Sequence, residues 1–332
     1  MSIGIRPDIL VCRTEHPISD DIKRKISLFC DTDVDAVIES PDAPTIYEVP
    51  LIMEKNGLAT VALRKLGLED KPFDLTAWTE MVERIKNPSK IVKVAVVGKY
   101  VELKDAYISI DESIKHAGYH LHTESKIDYI QAEDVDVEKL RKYDGILVPG
   151  GFGHRAVEGK IKAIEFARKN KIPFFGICLG MQTSVIEYAR NVLNLENANS
   201  TEFDENTKYP VIDLLPDQKD IENMGGTMRL GIYPCKLKEG SLARKLYKEE
   251  LIYERHRHRF EFNNEYKEVI QEAGLIISGS SPDGRLAEIV ELSQEEHPFF
   301  IAGQFHPEFK TRPNRPHPLF TGFIKAMLKE EI

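Results

Sequence analysis

Three short strings in the second half of the chain carry residue types that can do chemistry. The first is Gly176-Ile-Cys-Leu-Gly180, a cysteine with glycine two residues away on either side. That is the form of a nucleophile elbow, with cysteine where many hydrolases place serine. A sharp strand-to-helix turn puts its central residue in strained backbone geometry, and small flanks let chain and substrate come close. At a helix N-terminus the sulfur also meets free N–H groups and the positive end of the dipole, which favour thiolate over thiol. The second string is Gln304-Phe-His-Pro-Glu308. A thiol needs a base near neutral pH, and that base needs an acceptor to hold its tautomer. His306 and Glu308 supply both for Cys178. The third is Pro149-Gly-Gly-Phe-Gly153, a backbone free of side chains that suits an oxyanion hole. The N–H of Gly151 and that of Leu179, just past the nucleophile, are its natural donors. A phosphate-binding loop or a tight turn fits these glycines as well.

The elements around the strings must bring them together. Apolar runs at 92–97, 145–148 and 172–177 read as buried strands, the last running straight into Cys178. Between 155 and 170, Val157, Ile161 and Ile164 recur at helical spacing, with Glu165, Arg168 and Lys169 opposite. Strand, helix, strand at this spacing predicts an α/β fold, a mostly parallel open sheet with helices on both faces. Past about residue 225, further strands are expected at 230–237, 275–281, 286–292 and 299–305, some antiparallel, and a closing helix at 319–329. Cys178 and His306 then each follow the carboxyl end of a strand, the edge where α/β sheets build their sites. Residues 1–88 read separately, as a small, mainly helical piece. It has one strand at 7–12 and helices at 20–29 and 75–85, the latter capped by Asp74. Asn87-Pro-Ser-Lys90 marks the boundary between 1–88 and 89–332. A piece of this size buries little apolar surface on its own.

Composition excludes several classes. The 332 residues are 42% hydrophobic and 30% charged, with a formal net charge of −9, which describes a globular protein without the basic footprint of a nucleic-acid binder. No apolar run spans a bilayer and the start lacks the pattern of a signal peptide, so a cytoplasmic location is expected. The four cysteines, Cys12, Cys30, Cys178 and Cys235, match no redox pair and no zinc spacing, and no metal site is expected. Cys12, Cys30 and Cys235 read as small buried hydrophobes.

Taken together, the three strings resemble the class I glutamine amidotransferases. Further strings, Gly98-Lys-Tyr100, Glu196-Asn-Ala-Asn-Ser-Thr-Glu-Phe203, Gly225-Gly-Thr-Met-Arg-Leu-Gly231 and Glu254-Arg-His-Arg-His-Arg259, are similar to the amidotransferase half of the CTP synthase family. The resemblance implies a flavodoxin-like sheet and hydrolysis of L-glutamine by Cys178, His306 and Glu308 without a cofactor. It implies a glutamine pocket made of Gly151, Leu179, Gly180, Met181, Gln182, Glu202 and Arg259. Glu202 would take the α-amino group and Arg259 the α-carboxylate, which a guanidinium binds bidentately. Without the family, residues 254–259 read as a charged strand or loop face. The segment 225–231 would belong to a lid answering to GTP as allosteric activator, preceded by the short acidic stretch Pro216-Asp-Gln-Lys-Asp-Ile-Glu222.

Residues 1–88 resemble the end of the family's synthetase (amidoligase) domain. By that resemblance Arg13 and Asp42 would touch the ATP adenine, and Lys25 and Phe29 would lie near the UTP or CTP base. No GxxxxGK[ST] string occurs. ATP and Mg2+ are therefore expected to act only through a synthetase domain missing from this chain, and CTP synthesis by the chain alone is not expected. Two other readings stay open: a γ-glutamyl hydrolase-like peptidase with the same triad, and a regulatory or assembly module whose glutaminase is silent.

Overall fold

In the first 88 residues two short strands, β1 (Leu10–Thr14) and β2 (Val37–Pro41), pair in parallel. Parallel pairing requires a crossover, and α1 (Asp20–Cys30) lies in it. This helix starts where the Ser19 hydroxyl accepts from the Ile22 amide, with Asp20 and Asp21 in its first turn. Three more helices follow, α2 (Val49–Lys55), α3 (Leu58–Leu66) and α4 (Thr76–Lys86). Asp74 accepts from the Thr76 amide at 2.8 Å, close to its expected capping role. The sequence leads one to expect a single strand here. β2 is a second one, too short and too soon ended by Pro41 to show a period of two. The core of this unit is small: Ala36, Ile38 and Val61, with Ile9 and Leu58 against them. Cys12 and Cys30 are half-buried rather than buried: Cys12 lies on the more covered face of β1, and Cys30 ends α1.

The computed structural model describes all residues except 100–103, 152–155 and 215–227, and its chain divides into two units, Met1–Pro88 and Ser89–Ile332. In the second unit the elements run β3 (Lys90–Gly98), α5 (Ile108–His120), β4 (Thr123–Gln131), β5 (Gly145–Val148), α6 (Val157–Lys169), β6 (Phe174–Ile177), α7 (Leu179–Asn191), β7 (Asn199–Ser200) and β8 (Pro210–Leu214). Then come β9 (Arg229–Leu237), α8 (Leu242–Tyr247), β10 (Leu251–His258), β11 (Phe260–Phe262), α9 (Lys267–Glu272), β12 (Ile276–Ser280), β13 (Ala287–Glu291), β14 (Phe300–Gly303) and α10 (Pro318–Met327).

Nine of these strands form one sheet, ordered β10-β9-β12-β13-β14-β6-β5-β3-β4. The block from β14 to β4 is parallel, and β10, β9, β12 and β13 extend it antiparallel. Within the parallel block the order is that of flavodoxin-like sheets, with the direction of winding reversed at β3. Both faces are covered, as continuous apolar strands require. Ala95, Val97, Ile146, Val148, Phe174, Phe300 and Ala302 meet residues of α6 and α7 on one side. Val94, Val96, Leu147, Phe175, Ile177 and Ile301 meet residues of α5 and α10 on the other. A smaller sheet, β11-β8-β7, stands beside it. Among the described residues no helix is long and apolar enough to cross a membrane.

Candidate active site

Register explains how residues far apart in sequence meet. β5, β6 and β14 are neighbours, with Val148 level with Gly176 and Ile177 level with Gly303. Gly150 therefore lies level with Cys178, and the Cys178 amide donates to the Gly303 carbonyl at 2.7 Å. Three residues beyond Gly303 stands His306. The three strings thus reach the same carboxyl edge of the sheet.

Cys178 is the N-cap of α7 at φ 52, ψ −103, a left-handed, strained conformation that side chains rarely adopt. Its flanking glycines are needed for packing against neighbouring strands more than for access. A Cβ on Gly180 would stand 2.1 Å from the Val148 carbonyl oxygen, and one on Gly176 would stand 2.8 Å from the Ala302 Cβ. Cys178 is 3% exposed. On one side of the sulfur lies Gly150: a Cβ there would be 3.0 Å from His306 Cε1 and 3.4 Å from Cys178 Cβ.

His306 Nδ1 is 2.7 Å from Glu308 Oε1. Nε2 has no hydrogen-bond partner among the described residues, and Cys178 acts on the His306 ring. Burial disfavours the imidazolium, but Cys178 and Glu308 outweigh burial and raise its pKa to about 10. Such a histidine is cationic at neutral pH, and a cation beside the sulfur is the partner a thiolate needs. Leu179, first residue of α7, has one of the amides a helix leaves without an internal acceptor. Gly151 faces it: a Cβ on Gly151 would lie 3.6 Å from Leu179 Cδ2 and 3.7 Å from Lys160 Nζ.

A cavity of about 260 Å³ opens at the sulfur, lined by Gly151, Cys178, Gln182, Glu202, Met228, Arg257, His258, Arg259 and Phe260. It brings together the expected carboxylate, Glu202, and the expected guanidinium, Arg259. Leu179, Gly180 and Met181 are not among its lining residues. Met181 packs in the core against the α6 side of the sheet, because it lies on the face of α7 turned away from the cavity, and Gly180 abuts β5.

The charged run at 254–259 is a strand for most of its length, and half of it is inside. On β10, Glu254, His256 and His258 are buried while Arg255 and Arg257 face out. His256 Nε2 lies 2.6 Å from Glu288 Oε2, and Arg229 Nη1 lies 2.9 Å from Glu288 and 3.4 Å from Glu261. Burial pushes Glu261 up to about 8 despite Arg229. Burial, with His256 and Arg229 nearby, holds the His258 pKa well below its usual range, so its ring is neutral.

Two buried side chains at this edge escaped the sequence reading. Lys160 is 1% exposed, and burial lowers its pKa to about 8 even with Cys178 acting in the opposite sense. Its signal was present: Lys160 falls among Val157, Ile161 and Ile164 on the apolar face of α6. Gln304 lies inside a string already singled out, but nothing in that string says where its carboxamide goes. The expected lid falls partly outside the described residues, as do residues 216–222, 152–153 and Tyr100.

In the first unit Arg13 Nε donates to Asp42 Oδ1 at 3.3 Å. Both border a cavity of about 490 Å³ shared with Ser40, Pro41, Ala43, Ile46 and Val49. Lys25 and Phe29, one turn apart on α1, are exposed and do not line it. Among the described residues no cluster of carboxylates, histidines or cysteines could hold a metal ion.

The family model for class I glutamine amidotransferases matches residues 102–326, and the model for the CTP synthase N-terminus matches residues 1–68. The CTP synthase of Methanocaldococcus jannaschii is 59% identical over 100% of this chain, and that of Carboxydothermus hydrogenoformans 58% identical over 99%. The chain spans 63% and 62% of their lengths. The solved glutaminase domain of Trypanosoma brucei CTPS, with bound acivicin, superposes with a TM-score of 0.68 at 38% identity, covering 73% of this chain and 95% of that one. The chain belongs to the class I glutamine amidotransferase family, on its CTP synthase branch.

Proposed function

We propose that residues 89–332 hydrolyse L-glutamine to glutamate and ammonia, with Cys178 as nucleophile, His306 as acid and base, and Glu308 as the group orienting His306. The observation that carries this reading is the meeting of Cys178 with the His306–Glu308 pair at the mouth of one cavity that also holds Glu202 and Arg259. The Cys178 thiolate, with the cationic His306 beside it, attacks the side-chain carboxamide carbon of glutamine. The N–H groups of Gly151 and Leu179 hold the oxyanion. His306 Nε2–H gives its proton to the departing nitrogen, ammonia leaves, and a thioester remains. Neutral His306 then takes a proton from water, whose oxygen attacks the thioester, and glutamate departs as the thiolate and imidazolium reform. Glu202 pairs with the α-ammonium, Arg259 with the α-carboxylate, and Gln182 lies beside the reacting amide.

A volume of about 260 Å³ is below the range of drug-sized sites and suits free glutamine better than an extended γ-glutamyl peptide. In the complete enzyme the ammonia aminates UTP to CTP at the expense of ATP, with Mg2+, and GTP acts on the lid. The lid lies within residues 89–332, whereas the amination belongs to the synthetase portion. Residues 1–88 contribute to it, and Arg13 and Asp42 are the groups proposed to meet the adenine, Lys25 and Phe29 the pyrimidine.

The test is glutamate release from glutamine, with and without GTP. Cys178→Ala lowers it by at least about 10⁴-fold, whereas faster turnover of a γ-glutamyl peptide than of glutamine would overturn the substrate assignment. CTP formed from UTP, ATP and ammonia by the pure chain would refute the division of labour. A wild type without glutaminase activity under any condition would favour the regulatory-module reading.

A further inference from the structure

Gln304 is fully buried between two residues of the proposed site, and the hydrogen bonds around it fix which way its carboxamide faces. The Phe260 carbonyl can only accept. Gln182 lies with Nε2 3.0 Å from that oxygen, so its NH2 group, not its carbonyl, must face it. His258 Nδ1, 3.2 Å away, is on a neutral ring and donates to the same oxygen. The second proton of the Gln182 NH2 points to Gln304 Oε1 at 3.3 Å. Had Gln304 been turned over, two NH2 groups would face each other with no acceptor, in a site too buried to leave them unpaired. Gln304 Nε2 therefore faces the other way, toward Cys178 Sγ at 3.7 Å. The backbone holds this position as well, since the Gln304 amide donates to the Glu288 carbonyl at 2.8 Å.

The sulfur then has two unlike neighbours besides His306. Toward Arg257 it faces a carbonyl oxygen at 3.9 Å, which only a thiol can use, as donor. Toward Gln304 it faces an N–H donor, which is worth most when the sulfur is an anion, because hydrogen bonds to charged acceptors are the stronger ones. We propose that Gln304 is a positioning residue of this site. Its NH2 group orients and favours the Cys178 thiolate, and its carbonyl holds Gln182 in the rotamer that faces the cavity. The proposal rests on the glutaminase reading for its purpose, though not for its geometry.

Two variants of the full chain test it, Gln304→Met, which removes donor and acceptor at similar length, and Gln304→Glu, which keeps the shape and the acceptor toward Gln182. The first readout is alkylation of Cys178 by iodoacetamide, located by mass spectrometry, as the rate at pH 7 relative to the rate at pH 10. In Gln304→Met this ratio falls about 5–10-fold, and in Gln304→Glu by at least as much, because a carboxylate replaces the donor. The second is glutamine turnover, where kcat falls about tenfold in Gln304→Met with KM within about threefold. A purely structural role would lower the melting temperature and leave the alkylation ratio of the folded protein unchanged, and that result overturns the proposal. If Gln304→Met does not fold, the isosteric Gln304→Glu decides alone, with a wild-type ratio overturning it. A wild type that releases no glutamate, but whose Cys178 alkylation responds to Gln304, would sink the glutaminase reading and leave the Gln304–sulfur contact standing.

Discussion

In residues 89–332 the functional groups stand on strand ends whose flanking side chains are buried on both faces of a nine-stranded sheet. In residues 1–88 a two-stranded sheet supports the groups assigned to nucleotides, and Leu28 and Phe29 remain 79% exposed. One site is fixed from inside by close packing. The other consists of surface residues whose arrangement is set by an exposed ion pair, Arg13–Asp42. The contrast teaches where geometry comes from: a cysteine and a histidine can be held to a productive distance only by a core that cannot yield, and such a core is present in just one of the two units.

The comparison breaks most readily at Gly180. An alanine there would place its Cβ 2.1 Å from the Val148 oxygen, a backbone atom that cannot move aside. Gly180→Ala is expected to destabilise the fold by about 3 kcal/mol or more, read as a fall in melting temperature or loss of soluble protein. A stable, active Gly180→Ala would mean that the elbow is not held by β5.

A smaller effect on stability and a large one on rate is expected of Glu308→Gln. Without the carboxylate the His306 tautomer is no longer held, and glutamate release should fall by about 10²–10⁴-fold. His306 is raised to about 10 with Glu308 among the causes, so the wild type should lose activity as pH climbs through that region, and the variant at lower pH. The linkage to stability has the same sign. The folded state holds the proton more tightly, so the stabilisation is whole below pH about 6.5 and fades as pH rises toward about 10. Melting temperature against pH checks this, and a variant with the wild-type slope would remove Glu308 from the account.

The smallest effect should come from the other unit. Arg13→Ala breaks an ion pair whose side chains are 86% and 51% exposed, and should move the melting temperature by less than about 2 °C and glutamate release by less than about twofold. A larger loss of glutaminase activity would show that the two units are coupled after all.

How far the sequence shows all this differs along the chain. The strand-borne strings around Cys178, His306 and Gly151 were readable because nucleophile, base and oxyanion donors are each tied to short local motifs, and the apolar runs of β5, β6 and β14 place them at strand ends. Glu202 and Arg259 needed the family resemblance, since an isolated carboxylate or guanidinium has no local pattern. The buried alternation on β10 was hidden because Glu254, His256 and His258 are polar on the inward face, where period-two readings look for apolar residues. Gln304 was missed because its surroundings come from strands and loops distant in sequence, whereas the signal of Lys160 stood in the apolar face of α6 itself. Gly180 was read as room for chain and substrate alike, and the close approach seen is that of the neighbouring strand.

The left-handed backbone at Cys178, φ 52 and ψ −103, has an evolutionary consequence. A non-glycine residue in so sparsely populated a region costs about 1–3 kcal/mol, and glycine would occupy it with less strain but without a sulfur. Selection for turnover and selection for a robust fold therefore pull in opposite directions at this one codon. A lineage that no longer needed to hydrolyse glutamine would be free to relax there first, so loss of the cysteine in a descendant would be an early sign of a glutaminase becoming a scaffold.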